Sequence, residues 1–163
     1  MRKIQQSFFR TVRSGRIASA ALAAAIVIPL VMPLAAPAAE DAFTRTADSS
    51  AVEWGPCPAF MPEGCALAVL QGDPAKPGAD ALFKLLAHTT APEHWHHSAE
   101  RMVLLEGEME VNYEGQAPVT LQEGTYAYGP PQLSHSATCT SDKDCILFIA
   151  FDQPVDAMAG ASD

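Results

Sequence analysis

Beyond residue 38 the sequence is poor in positive charge. Only Arg45, Lys76, Lys84, Arg101 and Lys143 stand there against all 19 acidic side chains, so five bases less 19 acids leave a formal charge of −14. A surface of that sign repels phosphate backbones and anionic headgroups, which argues against a nucleic-acid or membrane-surface partner. Convincing helical periodicity is also lacking, as is any internal repeat, so neither a helix bundle nor a solenoid is expected. The four cysteines do not stand at the spacing of the usual zinc pairs, which argues against a cysteine-held metal.

Positive charge is concentrated in the first 16 residues, which carry Arg2, Lys3, Arg10, Arg13 and Arg16 and no acid. The run "IASAALAAAIVIPLVMPLA" follows over residues 17–35, and then Ala36-Pro37-Ala38 in a small-x-small pattern. A basic start, an apolar middle and a small-residue site are the parts of a secretory signal peptide, expected here over residues 1–38. The competing reading is an uncleaved membrane anchor. No adjacent Arg-Arg pair is present, which favours the general export route for unfolded chains over the twin-arginine route. The mature protein is therefore expected in the periplasm or the medium, with no membrane contact after cleavage.

An exported chain meets an oxidising compartment, and Cys57, Cys65, Cys139 and Cys145 are even in number. Three pairings are possible. The local one, Cys57 with Cys65 and Cys139 with Cys145, is expected, because "CTSDKDC" reads as a turn between strands and "CPAFMPEGC" as a Pro/Gly-rich loop. Each closure would stabilise by roughly 2–3 kcal/mol through loop entropy.

Residues 39–65 read as a loosely held N-terminal arm and loop, and residues 153–163 as a frayed tail. Between them, over 66–152, short apolar runs punctuated by Gly and Pro predict an all-β sandwich or barrel. Glu108, Glu110 and Asn112 alternate with Met109, Val111 and Tyr113, the mark of a strand with one wet face. "MVLLE" and "CILFIAF" are apolar throughout and are expected to be covered on both faces.

Among the five histidines, His94, His96 and His97 cluster next to Glu100. On a strand, residues i and i+2 share a face, so His94 and His96 point together and Trp95 points away. Imidazoles plus one carboxylate suit a divalent transition metal. The spacing His94-x-His96-x3-Glu100-x6-Gly107 resembles the first motif of the cupin superfamily, and Gly124-x5-Pro130-x4-His135 resembles its second. Sixteen residues separate Gly107 from Gly124, towards the short end for cupins. The lead-in "WGPCPAFMPEG" and "LAVLQGDPAKPG" also looks like that of exported single-domain cupins. A weaker similarity is to the zinc-binding cupin halves of certain anti-sigma factors, although those are cytoplasmic.

The resemblance implies a single cupin barrel (a double-stranded β-helix, or jelly roll). It also implies one metal ion on His94, His96, Glu100 and His135, with zinc, iron, manganese or nickel as candidates, and it permits a homodimer through edge strands. Three departures stand out: His88 replaces the opening Gly of the first motif, Gln132 the Gly of the Pro-x-Gly turn, and Cys139 the closing Asn. His97 lies off the ligand face, and His88 reads as structural. Met102, Met109, Tyr113, Tyr126, Tyr128 and Phe148 are the expected inward-facing pocket residues, and Lys84 and Arg101 the weaker candidates for anchoring a carboxylate. Cupin enzymes include dioxygenases, decarboxylases, isomerases and lyases, so the resemblance implies a metal-dependent enzyme acting on a small anionic or oxygenated molecule without choosing among reactions. The alternative is a non-catalytic metal- or ligand-binding module such as a sensor.

Intact-mass analysis of the exported protein is expected to show a 125-residue chain beginning at Ala39, the 163 residues less the first 38. A mass that keeps residues 1–38 would mean an anchor instead.

Overall fold

The computed structural model describes residues 41–160. The signal-peptide reading of residues 1–38 lies outside them.

The described residues form eleven strands: β1 (Gly55–Pro56), β2 (Ala66–Gln71), β3 (Asp80–Leu85), β4 (Thr90–Trp95), β5 (Glu100–Glu106), β6 (Glu108–Tyr113), β7 (Val119–Gln122), β8 (Tyr126–Gly129), β9 (His135–Cys139), β10 (Cys145–Phe151) and β11 (Met158–Ala159). All pairs are antiparallel. One sheet runs β1-β2-β3-β10-β5-β8 and the other β11-β4-β9-β6-β7. Side chains from both meet in one core, including Leu85, Leu104, Leu147 and Ile149 from the first and Met109, Val111, Leu121 and Ala137 from the second. This is the all-β jelly roll that the motifs imply, built as two facing sheets rather than a fully closed barrel.

The period-2 register carries through. Met109, Val111 and Tyr113 are buried while Glu108, Glu110 and Asn112 are only partly so, as the alternation in β6 predicts. On β10, Cys145, Leu147, Ile149 and Phe151 face the core. Ile146 and Phe148 face the other way, into a second apolar cluster with Val52, Trp54, Leu70 and Leu82. "CILFIAF" is therefore apolar on both sides because a second layer lies over its outer face.

That second layer corrects the expectation of a loose arm. Val52 is buried against Ala68 and Leu82, Lys84 lies 4.9 Å above the Trp54 ring, and β1 pairs with β2. The Cys57–Cys65 disulfide closes the loop that follows. The tail is not frayed either: β11 pairs with β4, and the Val155 amide donates to the Pro74 carbonyl at 2.9 Å. The arm is held by packing of Val52 and Trp54 as well as by backbone pairing, and the tail by backbone pairing, and neither shows side-chain periodicity.

The Cys139–Cys145 disulfide bridges β9 and β10, so both pairs are local. Gly107 turns beneath it at φ 88°, where a Cβ would come within 2.8 Å of Cys145 Sγ and Ser141 Oγ. The other departures concern backbone rather than ligands. Among the described residues His88 and Gln132 are the positive-φ residues other than glycine, at 57° and 64°, and both stand where the cupin motifs use glycine. The chain thus keeps the glycine-type turn without the glycine. A left-handed non-glycine residue costs about 1–2 kcal/mol, partly offset because glycine loses more entropy on folding. Gln132→Gly is therefore expected to raise stability by roughly 0.5–1 kcal/mol, read as a higher denaturant midpoint at unchanged slope.

Candidate metal centre

Three neighbouring strands bring the site together. His94 on β4 sits opposite His135 on β9, and His135 sits opposite Tyr113 on β6. An irregularity in pairing between Ala91 and His94 lets both residues face inward although they are three apart. His96 lies just past the end of β4, and Glu100 opens β5. Opposite Glu100 on β8 is Gly129, whose missing side chain leaves room for the carboxylate: a Cβ there would lie 3.4 Å from Glu100 Oε2.

The nitrogens of His94, His96 and His135 that face one another all lie within 4.8 Å. Glu100 joins them, with Oε1 3.4 Å from His96 Nε2 and Oε2 3.7 Å from His135 Nε2. All four side chains are buried, Glu100 to 3% exposure.

What aims the rings is backbone. His94 Nδ1–H donates to the Pro92 carbonyl at 2.7 Å, and His135 Nδ1–H to the Leu133 carbonyl at 3.0 Å. His96 Nδ1–H donates to the carbonyl of Asp156. With Nδ1 committed as a donor, each neutral ring presents its Nε2 lone pair to the others. Three inward lone pairs and a buried carboxyl group, once ionised, have no hydrogens to share among themselves. Their donor chemistry fits a divalent transition-metal ion, with the carbonyls as the outer supports such histidines usually have.

Electrostatics agree with neutral rings. Burial lowers the pKa of His94 to about 3, with His135 adding to the effect. Burial likewise lowers His96 and His135, against the pull of the Asp156 carbonyl on the one and of Glu100 on the other. Complete burial raises Glu100 to about 7, with His135 opposing.

The centre lies at the wall of a cavity of about 210 Å³. Met102, Met109 and Tyr113 line it. Tyr126, Tyr128 and Phe148 do not, and here the expected pocket is corrected. The two tyrosines are 60% and 53% exposed on the outer face of β8, whose inward positions are Ala127 and Gly129. Phe148 has the outward parity of β10. Lys84 and Arg101 are not anchors in the cavity either, since Lys84 lies over Trp54 and Arg101 pairs with Asp152. His97 is exposed and bonded to the Asp156 carboxylate, and His88 is paired with Asp142 at the surface.

The sequence reading missed two parts of the site. Cys57, Pro58 and Met61 line the cavity from the disulfide loop, and Val155, Asp156 and Ala157 from the tail. Neither part has a periodic pattern that would have marked it. The cysteine pair did mark the loop as closed.

Two facing antiparallel sheets around a buried cluster of three histidines and a glutamate make this a cupin. The family is given by the sequence itself: the model described as the ChrR cupin-like domain matches residues 43–155, and the chain belongs to that family. No curated protein matches significantly. Among solved structures, the dimethylsulfoniopropionate (DMSP) lyase DddQ from Ruegeria pomeroyi DSS-3 is similar at 22% identity and a TM-score of 0.57, covering 66% of this chain and 60% of that one. The Schizosaccharomyces pombe Cnp3 cupin domain is similar at 14% identity and TM-score 0.51, over 57% of this chain and 67% of that one. Oxalate decarboxylase from Bacillus subtilis matches at 17% identity and TM-score 0.52, over 61% of this chain and 28% of that one. These likenesses establish the fold. The chain spans less than two thirds of the lyase and under a third of the decarboxylase.

The histidine shifts predict how metal-free protein responds to pH. A histidine whose pKa falls on folding stabilises fully above its unfolded value near 6.5, and loses that contribution as pH drops toward its folded value, about 3 for His94. Glu100, raised from 4.5 to about 7, acts oppositely between those values and contributes no slope below them. The three rings act in one direction, and the opposing carboxyl stops acting below pH 4.5. Stability measured by thermal melts in chelator is expected to fall from pH 6.5 to pH 4, with His94 contributing about 1.4 kcal/mol per pH unit and His96 and His135 adding in the same direction. A flat profile would mean the rings are not buried as neutral groups.

Proposed function

We propose that the chain holds one divalent transition-metal ion on His94, His96, His135 and Glu100, and acts as a metal-dependent enzyme on a small molecule bound in the adjoining cavity. The observation that carries this reading is the common orientation of the three imidazoles, each committed at Nδ1 to a carbonyl so that its Nε2 faces the others. Zinc, iron, manganese and nickel all suit such a set, and the divalent affinity order alone does not choose among them.

Bound there, the ion would polarise a carbonyl or carboxylate, or lower the pKa of a water. The chain's own part is to orient and exclude. Apolar walls keep bulk water from the centre, and Tyr113 offers a buried hydroxyl close by. Burial and the nearby Glu100 charge raise that hydroxyl to about 12, so at neutral pH it is a donor and not an anion. The similar lyase and decarboxylase support an enzymatic reading by fold analogy, without choosing the reaction. The two disulfides support an oxidising location, the periplasm or outside the cell.

A non-catalytic binding module is the second reading. In its favour, the ionisable side chains lining the cavity besides the proposed ligands are only Tyr113 and Asp156, and Asp156 is engaged by His97.

Elemental analysis of protein from the exported fraction is expected to find about one ion per chain. His96→Ala is expected to lose it, with affinity falling on the order of 100-fold or more, beyond the 10- to 100-fold typical for loss of an outer support. Substoichiometric metal in the wild type, unchanged by that substitution, would overturn both readings.

A further inference from the structure

Two segments outside the main strands line the cavity, and they are held differently. The tail segment, Val155 to Ala157, is fastened by hydrogen bonds. The Val155 amide donates to the Pro74 carbonyl, the Asp156 carbonyl accepts from His96, and β11 follows directly onto β4. The loop of residues 57–65 has no such fastening. Among the described residues its hydrogen bonds are its own. The Met61 amide donates to the Pro58 carbonyl at 2.9 Å, the Cys65 amide to the Pro62 carbonyl at 3.1 Å, and the Cys57 amide to the Cys65 carbonyl at 3.5 Å. The loop meets the body of the protein through side chains. Cys57, Pro58 and Met61 line the cavity, Met61 packs on the main core, and the Phe60 ring centroid lies 6.3 Å from that of His94. Its other side faces solvent, with Ala59, Glu63 and Gly64 exposed. A segment with few apolar contacts and no hydrogen bond to a sheet is among the first to open locally.

The Cys57–Cys65 disulfide closes the base of this loop, because the pairing before it is only Gly55 with Leu67 and Pro56 with Ala66. The two disulfides differ in reach. Cys139 and Cys145 are fully buried, whereas Cys65 is 7% exposed and Cys57 is half-buried. Thiol–disulfide exchange needs a thiolate to reach a sulfur of the bond, so access decides which bridge reacts. Val52 and Trp54 pack on the sheet before the loop, and β2 pairs with β3 after it. Loss of the bridge therefore frees the loop and leaves the two sheets intact.

We propose that Cys57–Cys65 is a thiol–disulfide exchange site and that residues 57–65 form a lid which this bond latches over the cavity. The reductant is a dithiol. One of its thiolates attacks Cys57 Sγ, and Cys65 leaves as a thiolate; its second thiolate then displaces Cys57. Two electrons and two protons end on the cysteine pair, and the dithiol ends as a disulfide. Without the bridge the lid opens more often and the cavity is reached from solvent. The latch needs only the loop and the cavity, with or without an ion on the histidines.

The test uses the full exported protein. After graded dithiothreitol in native buffer, iodoacetamide and mass mapping, Cys57 and Cys65 are expected to be alkylated while Cys139 and Cys145 stay bridged. Opening is then read from methionine oxidation by tert-butyl hydroperoxide, a bulky oxidant. Untreated protein is compared with reduced and alkylated protein and with the Cys57→Ser/Cys65→Ser variant, which controls for the bulk of the alkyl groups. Met102, 5% exposed in the cavity wall, is expected to oxidise about tenfold faster in both forms without the bridge, within the roughly 30- to 100-fold that lost loop-closure entropy allows. Met158, 40% exposed and outside the cavity, is expected to oxidise at an unchanged rate, and hydrogen exchange of the β10 amides is expected to stay the same. Where the serine pair does not fold, the reduced wild type carries the reading. Reduction of Cys139–Cys145 first, or of both bridges together, overturns the exchange site. Unchanged oxidation of Met102 overturns the lid. Faster exchange throughout β10 on reduction means that the bridge holds the whole fold, which overturns the lid as well.

Discussion

Each of the three clustered imidazoles gives one nitrogen to a backbone carbonyl, and the rest of the centre depends on that. A buried histidine is free to choose its tautomer and to turn about its ring axis until something settles both. Here the settling groups belong to the sheet framework, at Pro92 and Leu133, and to the returning chain at Asp156. A carbonyl cannot be altered by replacing its own side chain, so the support is robust to substitution at those positions. It is sensitive instead to backbone movement, which the strand pairings of β4, β9 and β11 resist.

The turn at Gln132 shows how closely the two halves of the site are coupled. Its amide donates to the His96 carbonyl at 2.8 Å, so the loop that delivers His135 is fastened to the residue it must meet. The backbone conformation there is the one glycine adopts easily, reached by a side chain that does not favour it. The geometry of the site is demanding enough to hold that conformation without the usual residue.

Part of this was legible in the sequence for a physical reason: strand periodicity is local. The alternation from Glu108 to Tyr113 set the inner face of β6, and the resemblance to the two cupin motifs named His94, His96, Glu100 and His135, which the fold brings together. Parity failed where it had no anchor. In "YAYG" the large residues were read as inward, whereas Ala127 and Gly129 take that side because Met102 and Glu100 stand opposite and need the space. Phe148 was misread because β10 is apolar on both faces and its alternation carries no sign. The N-terminal arm and the tail escaped for a third reason: the tail is attached through backbone amides and carbonyls, and the arm through a few isolated apolar side chains such as Val52 and Trp54 that form no periodic pattern.

The tail has a further consequence for the order of assembly. The acceptor that orients His96 comes 60 residues later in the chain, at Asp156. A polypeptide synthesised from its N-terminus therefore contains all four clustered side chains before the acceptor of the last ring has been made. The arrangement of the three rings is complete only after the following stretch has returned to pair with β4.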